Sequence, residues 1–184
     1  QAVCQDTLRI ARSSPPVCEV QITSPQEDEF ICQDSVTVVG MTSISGGGSA
    51  LTIQCTVDGI IAEVSGDVFN ARVPLSSGNN LLVATCTVVD SCGQEVVCRD
   101  SSIVFRDDIA PRCSFTLTGT VITGRFIDNE SGIAGITPVK LKNATLTVDP
   151  FTAGDHRVKF RLDAIDPANP MGFSINITDV CGNT

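Results

Sequence analysis

The sequence predicts an all-β chain of two antiparallel sandwiches in tandem, the second lacking its last strand. Three observations carry this. Short runs rich in Val, Ile and Thr are cut every 8 to 12 residues by Gly, Pro, Asn or Asp. No stretch sustains a helical period over three turns. The chain also repeats itself at a spacing near 90 residues.

The repeat is read from two segment pairs. Val97-Cys98-Arg99-Asp100 opens an alternating run that reaches Arg106, then Pro111 and Cys113. Val3-Cys4-Gln5-Asp6 opens the same pattern, reaching Arg12, then Pro16 and Cys18. Likewise Asp90-Ser91-Cys92-Gly93 is matched by Asp179-Val180-Cys181-Gly182. The first of these turns leads into a strand, whereas only Asn183 and Thr184 follow the second. The expected organisation is an N-terminal strand at 1–14, a first module at 15–106 and a second, incomplete module at 107–184. A sheet short of a strand exposes unpaired backbone and an open core, and Gln1–Arg12 has the pattern that fills it.

In the first module the expected strands are Val17–Thr23, Ser35–Met41, Ala50–Val57, Ile60–Val64, Val68–Pro74, Asn80–Val89 and Glu95–Phe105. Asp58-Gly59 between apolar runs predicts a tight hairpin, since a type I′ turn needs positive φ at both central residues. Gly46-Gly47-Gly48 lacks the Lys and helix of a phosphate loop and reads as a turn. In the second module the strands are Arg112–Leu117, Thr120–Ile127, Ile136–Leu141, Ala144–Val148, His156–Ile165 and Met171–Thr178.

Composition narrows the setting. Nine cysteines without a CxxC pair predict disulfides in an oxidising, extracellular location rather than a zinc site. A first residue of Gln fits a secretory signal already removed. The net charge of −9 argues against nucleic acid, which requires basic patches, and no apolar run is long enough for a membrane-spanning helix. Sequons at Asn129, Asn143 and Asn176 suit glycosylation on a secreted surface.

The repeat maps Cys18 onto Cys113, Cys92 onto Cys181 and Cys98 onto Cys4. The pairings expected are Cys18–Cys92, Cys113–Cys181 and Cys55–Cys86, the last between mid-strand residues on neighbouring runs. Cys32, Cys98 and Cys4 are then left over. An odd total leaves one cysteine free or bonded between chains. Cys4, on the donor strand of this scheme, is the intersubunit candidate.

No catalytic constellation emerges, and the chain is expected not to be an enzyme. His156, the only histidine, has no placed nucleophile and reads as a surface residue. The eight phenylalanines are read mostly as core, and Trp and Tyr are absent, so no sugar-stacking platform is evident. Asp107 and Asp108, with Asp128 and Glu130 or with Asp163 and Asp166, are weak calcium candidates at a module junction; a solvated turn explains them as well. No other cofactor is expected.

The residues Ile22-Thr-Ser-Pro25, Thr56-Val-Asp-Gly59, Val68–Leu75, Gly78-Asn-Asn80 and Val89-Asp90…Gly93 resemble bacterial and archaeal immunoglobulin-like surface repeats. Asp128-Asn-Glu-Ser-Gly-Ile133 and Asp179-Val-Cys-Gly-Asn183 match the Asp-x-x-Ser-Gly-Ile and Asp-x-x-Gly-Asn signatures of such repeats. The resemblance covers nearly the whole chain and implies the fold; spacers, adhesin stalks and accessory modules all share it.

Three routes fill the vacant strand position: folding back within the chain, insertion into a neighbouring copy, or continuity with a following repeat. Self-closure requires a strand to traverse the first module, ~35–40 Å, whereas Ser13–Val17 reach at most ~18 Å. Insertion in trans is the expectation, with Val3, Cys4, Leu8, Ile10 and Arg12 on the donor strand and a head-to-tail homopolymer as the product. In this the chain resembles thread-like filament subunits that donate an N-terminal strand. The alternatives are a repeat unit of a long cell-surface adhesin or stalk, and a carbohydrate- or calcium-binding accessory module of a secreted enzyme.

Overall fold

The computed structural model describes residues 14–46 and 51–184. Among them there is no helix. The strands are β1 (Val17–Ser24), β2 (Glu29–Ile31), β3 (Ser35–Ser45), β4 (Thr52–Val57), β5 (Ile60–Ile61), β6 (Glu63–Ser65), β7 (Val68–Pro74), β8 (Gly78–Val89), β9 (Glu95–Arg106), β10 (Arg112–Thr118), β11 (Val121–Ile127), β12 (Ile133–Lys142), β13 (Ala144–Val148), β14 (Arg157–Ala164) and β15 (Gly172–Asp179). They form four sheets, in the orders β1-β3-β7-β6, β2-β9-β8-β4-β5, β10-β11-β14-β13 and β12-β15. Both four-stranded sheets follow the A-B-E-D order of an immunoglobulin sandwich.

The chain folds as two compact units. One holds the described residues up to Glu27 together with Ser35–Pro74 and Leu81–Ile103. The other holds Asp28–Asp34, Leu75–Asn80 and Val104–Thr184.

In the first unit, alternation along β3, β7 and β8 turns Val38, Phe69, Ala71, Val73, Leu82, Ala84, Cys86 and Val88 inward, where they are buried. The hairpin at Asp58-Gly59 has positive φ at both residues, 50° and 80°, and pairs Val57 with Ile60. The run expected as one strand at Ile60–Val64 is two. Its buried Ala62 donates its N–H to the Cys55 carbonyl at 2.9 Å, and β5 and β6 on either side join different sheets.

In the second unit, Ile122, Phe126, Ile133, Ala144, Val158, Phe160 and Leu162 form the core. Phe126 and Phe160 stack at 4.4 Å. The half-buried Phe173, Ile175 and Ile177 of β15 pack on that core. β2, which no apolar alternation announced, runs parallel to the end of β9 from Glu29↔Val104 to Ile31↔Arg106. The phenylalanines divide accordingly: Phe69, Phe126 and Phe160 are buried, whereas Phe30 and Phe115 are exposed.

Candidate strand-accepting edge and acidic centre

β8 and β15 end in the same turn. Asp90 N–H donates to the Gln94 carbonyl and Gly93 N–H to the Asp90 carbonyl; Asp179 with Asn183 and Gly182 repeats both bonds. The carboxylate caps each turn, Asp90 Oδ1 accepting from Gln94 N at 2.8 Å and Asp179 Oδ1 from Asn183 N at 2.8 Å. β8 lies between β9 and β4. Among the described residues β15 pairs with β12 alone, so the side on which β8 receives β9 is an open edge in β15.

The facing sheet is open at the same place. Every residue of β10 is exposed, including the apolar Phe115 and Leu117 at 57% and 61%. These alternate with polar residues on one face, together with Cys113. Phe115 touches Phe173 of β15 edge-on at 5.9 Å. In the first unit the counterpart, β1, is held by β9: Cys18 is bonded to Cys98, and Ile22 N–H donates to Asp100 Oδ2 at 2.7 Å. β9 itself alternates, with Val96, Cys98, Asp100, Ser102 and Val104 partly or fully buried and Glu95, Val97, Arg99 and Ser101 exposed. A sandwich normally buries such a face; β10 leaves it in water, at a cost that a further strand would remove.

Two of the three disulfides differ from those expected. Cys18 bonds Cys98, not Cys92, and Cys181 bonds Cys32, not Cys113. Cys55 is joined to Cys86, its direct cross-strand partner on β4 and β8. Cys92 and Cys113 are free and exposed. Two physical reasons account for the differences. Cys92 sits exposed in the tight turn after Asp90, its N–H held by Asp90 Oδ1. Cys18 and Cys113 are also out of step: Gly40 stands opposite Phe69 and Ile22, and Gly124 opposite Phe160 and Phe115. On that register Cys113 corresponds to Val20, and Cys18 to Pro111. Partial burial raises the Cys113 thiol above its ordinary pKa.

Three disulfides among the described residues fit an oxidising compartment. No helix among the described residues is long and apolar enough to cross a membrane. Val3, Cys4, Leu8, Ile10 and Arg12 lie outside the described residues.

Three aspartates converge in the second unit. Asp107 follows β9, Asp128 follows β11 and Asp179 closes β15; their exposures are 1%, 2% and 1%. One carboxylate oxygen from each lies within 4.8 Å of the others. Asp107 Oδ1 accepts from Ile109 N and Oδ2 from Ser131 N, both at 3.1 Å. Asp128 Oδ1 accepts from Glu130 N at 2.8 Å and Gly132 N at 3.2 Å. Asp128 Oδ2 and Ser131 Oγ are each buried with no hydrogen-bond partner. Gly132 makes this corner possible, with φ of 86° and the Gly154 backbone where a Cβ would stand.

Of the residues weighed for calcium, Asp107 and Asp128 are therefore together, and Asp108 is elsewhere: it pairs with Arg106 at 3.4 Å and accepts from Ser77 Oγ at 2.5 Å. Glu130 Oε2 accepts from Asn129 N. Asp163 is taken by Arg161 at 2.6 Å, whose hydrogen bond holds its carboxyl below the usual range, and Asp166 caps the turn at Ala168. The Asp-x-x-Gly-Asn signature marked Asp179 as a turn residue and gave no sign of a ligand. His156 is exposed, its Nδ1 3.1 Å from the Asp128 carbonyl.

The sequons are unequal. Asn129 and Asn176 are exposed. Asn143 Nδ2, the atom a glycan requires, donates to the carbonyls of Asp166 and Asn169, both at 2.7 Å.

No family model matches this sequence, and neither does any curated protein. Solved structures similar to it include the fibronectin(III)-like modules of Clostridium thermocellum CbhA, at 12% identity over 89% of this chain and 87% of that chain, TM-score 0.37. The N-terminal Ig1-2 module of the Drosophila receptor protein tyrosine phosphatase DLAR is 13% identical over 92% and 93%, TM-score 0.33. Bacteroides ovatus SGBP-B, solved with a mixed-linkage heptasaccharide, is 12% identical over 89% of this chain and 44% of that chain, TM-score 0.28. At these identities the likeness concerns fold alone.

Proposed function

We propose that this chain is a structural subunit of an extracellular filament, in which Gln1–Arg12 of one copy pairs with the open edge of β15 in the next. The observation that supports this reading is the pairing of an open edge and an exposed apolar face with a segment patterned like β9. Transferring the alternation of β9 through Cys98 and Cys4 turns Ala2, Cys4, Asp6, Leu8, Ile10 and Arg12 inward. Val3 then corresponds to Val97, which is exposed, so it faces outward.

Added edgewise, a ten-residue strand gains roughly ten backbone hydrogen bonds at about 1 kcal/mol net each. Burying Leu8 and Ile10 contributes about 1.5–3 kcal/mol apiece, and ordering the strand offsets much of that total. Each copy donates once and accepts once through different surfaces, a heterologous contact that propagates without closing. On the register above, Cys4 as the counterpart of Cys98 comes opposite Pro111; Cys113, two residues further along, is the free thiol on the accepting face, and it is the partner assigned to Cys4. In that bond the two thiols give up two protons and two electrons to a disulfide-donating oxidant, forming one S–S bond between copies.

The same open edge also fits a repeat within a long surface protein, where chain continuity supplies the strand. Electrophoresis of native material after boiling in detergent separates the two. A ladder in multiples of the subunit mass that collapses on reduction supports the filament; one very long polypeptide supports the repeat. Leu8→Asp in the full chain is expected to abolish polymers in electron micrographs, because it puts a charge on the inward face. Wild-type polymers persisting in Leu8→Asp would overturn the donor assignment.

A further inference from the structure

We infer that Asp107, Asp128 and Asp179 form a calcium site in the second unit, independently of whether the chain polymerises. Three carboxylates with oxygens within 4.8 Å repel one another strongly once buried. No ion pair relieves any of the three among the described residues. Turn capping alone does not call for the charge, since Ser or Asn caps a backbone N–H about as well as Asp. Asp128 Oδ2, on a carboxylate 2% exposed and within the cluster, is a strong acceptor with no donor.

The donors are all oxygen, the choice of a hard cation. Opposite oxygens around calcium, at 2.3–2.6 Å from the ion, stand about 4.6–5.2 Å apart; around magnesium they stand about 4.0–4.2 Å apart. Oxygens that all lie within 4.8 Å of one another fit inside a calcium coordination sphere, and calcium, unlike magnesium, tolerates irregular geometry with backbone-tethered carboxylates. Bound there, calcium ties the segment after β9, the corner between β11 and β12 and the turn that closes β15. The first unit provides an internal contrast. Asp90, the counterpart of Asp179, also carries a buried unpaired Oδ2, but it belongs to no such group of acids among the described residues.

The test is calorimetric titration of calcium chloride into the full chain after dialysis against a chelator, with thermal unfolding in parallel. Expected are one site per chain and a Tm raised by about 5 °C or more at saturating calcium, with magnesium at least tenfold weaker. Asp128→Asn is expected to weaken calcium at least tenfold, whereas Asp90→Asn keeps wild-type affinity. Absence of both heat and Tm shift in the wild type overturns the site, a reading that needs no variant to fold. Equal loss in Asp90→Asn and Asp128→Asn, unchanged binding in Asp128→Asn, or preference for magnesium would do so as well.

Discussion

Gly124 sits where a side chain would meet the Ser114 carbonyl and the ring of Phe160, and Gly40 stands in the same relation to Gln21 and Phe69. The aromatic ring lies over the glycine of the neighbouring strand, and both sheets repeat the device. Gly124→Ala is expected to destabilise the second unit by about 1–3 kcal/mol through overpacking, read as a lower urea midpoint with unchanged slope. This pair also sets the register that separates Cys18 from Cys113. Residue spacing in the sequence suggested that they were equivalent; the cross-strand partners show a two-residue offset. Cysteine pairing was illegible for the same reason, because it depends on which strands face one another, and nine cysteines permit many schemes. At Asn143, a triplet that reads as a glycan acceptor is a turn clamp. Glycopeptide mass spectrometry of native material is expected to find Asn143 unmodified, with any glycan at Asn129 or Asn176; an occupied Asn143 would contradict the clamp.

Strands and hairpins were legible where alternation and turn chemistry agree, as at Asp58-Gly59 and along β7 and β8. β2 was not, because three residues carry no period; it exists only through its pairing with β9. The division of Ile60–Val64 was hidden for a related reason, since a change of sheet leaves no mark on alternation. β10 carries the most direct consequence at this scale. Burial raises its Cys113 thiol, so less thiolate is present at a given pH, and alkylation should reach half its maximal rate above the ordinary thiol range. If a donor strand covers this face, Cys113 in polymers is expected to resist alkylation that it accepts in dissociated subunits. Equal labelling in both states would mean that β10 stays uncovered.

For the molecule as a whole, the chain's own repetition determined most of what can be said about its architecture. Alternation and turn residues were enough to infer all-β structure, since these are local patterns with a period of two. Proximity between distant residues was decided only by the tertiary structure. It brought Cys32 to Cys181 across a separation of 149 residues, left Cys113 free beside an exposed Phe115, and gathered Asp107, Asp128 and Asp179 from the ends of three strands into one buried group. In sequence Asp107 and Asp128 read as weak calcium candidates or as solvated turns, and Asp179 as a turn residue alone; their joint role arises because the fold removes water from all three at once, leaving like charges that a cation can neutralise.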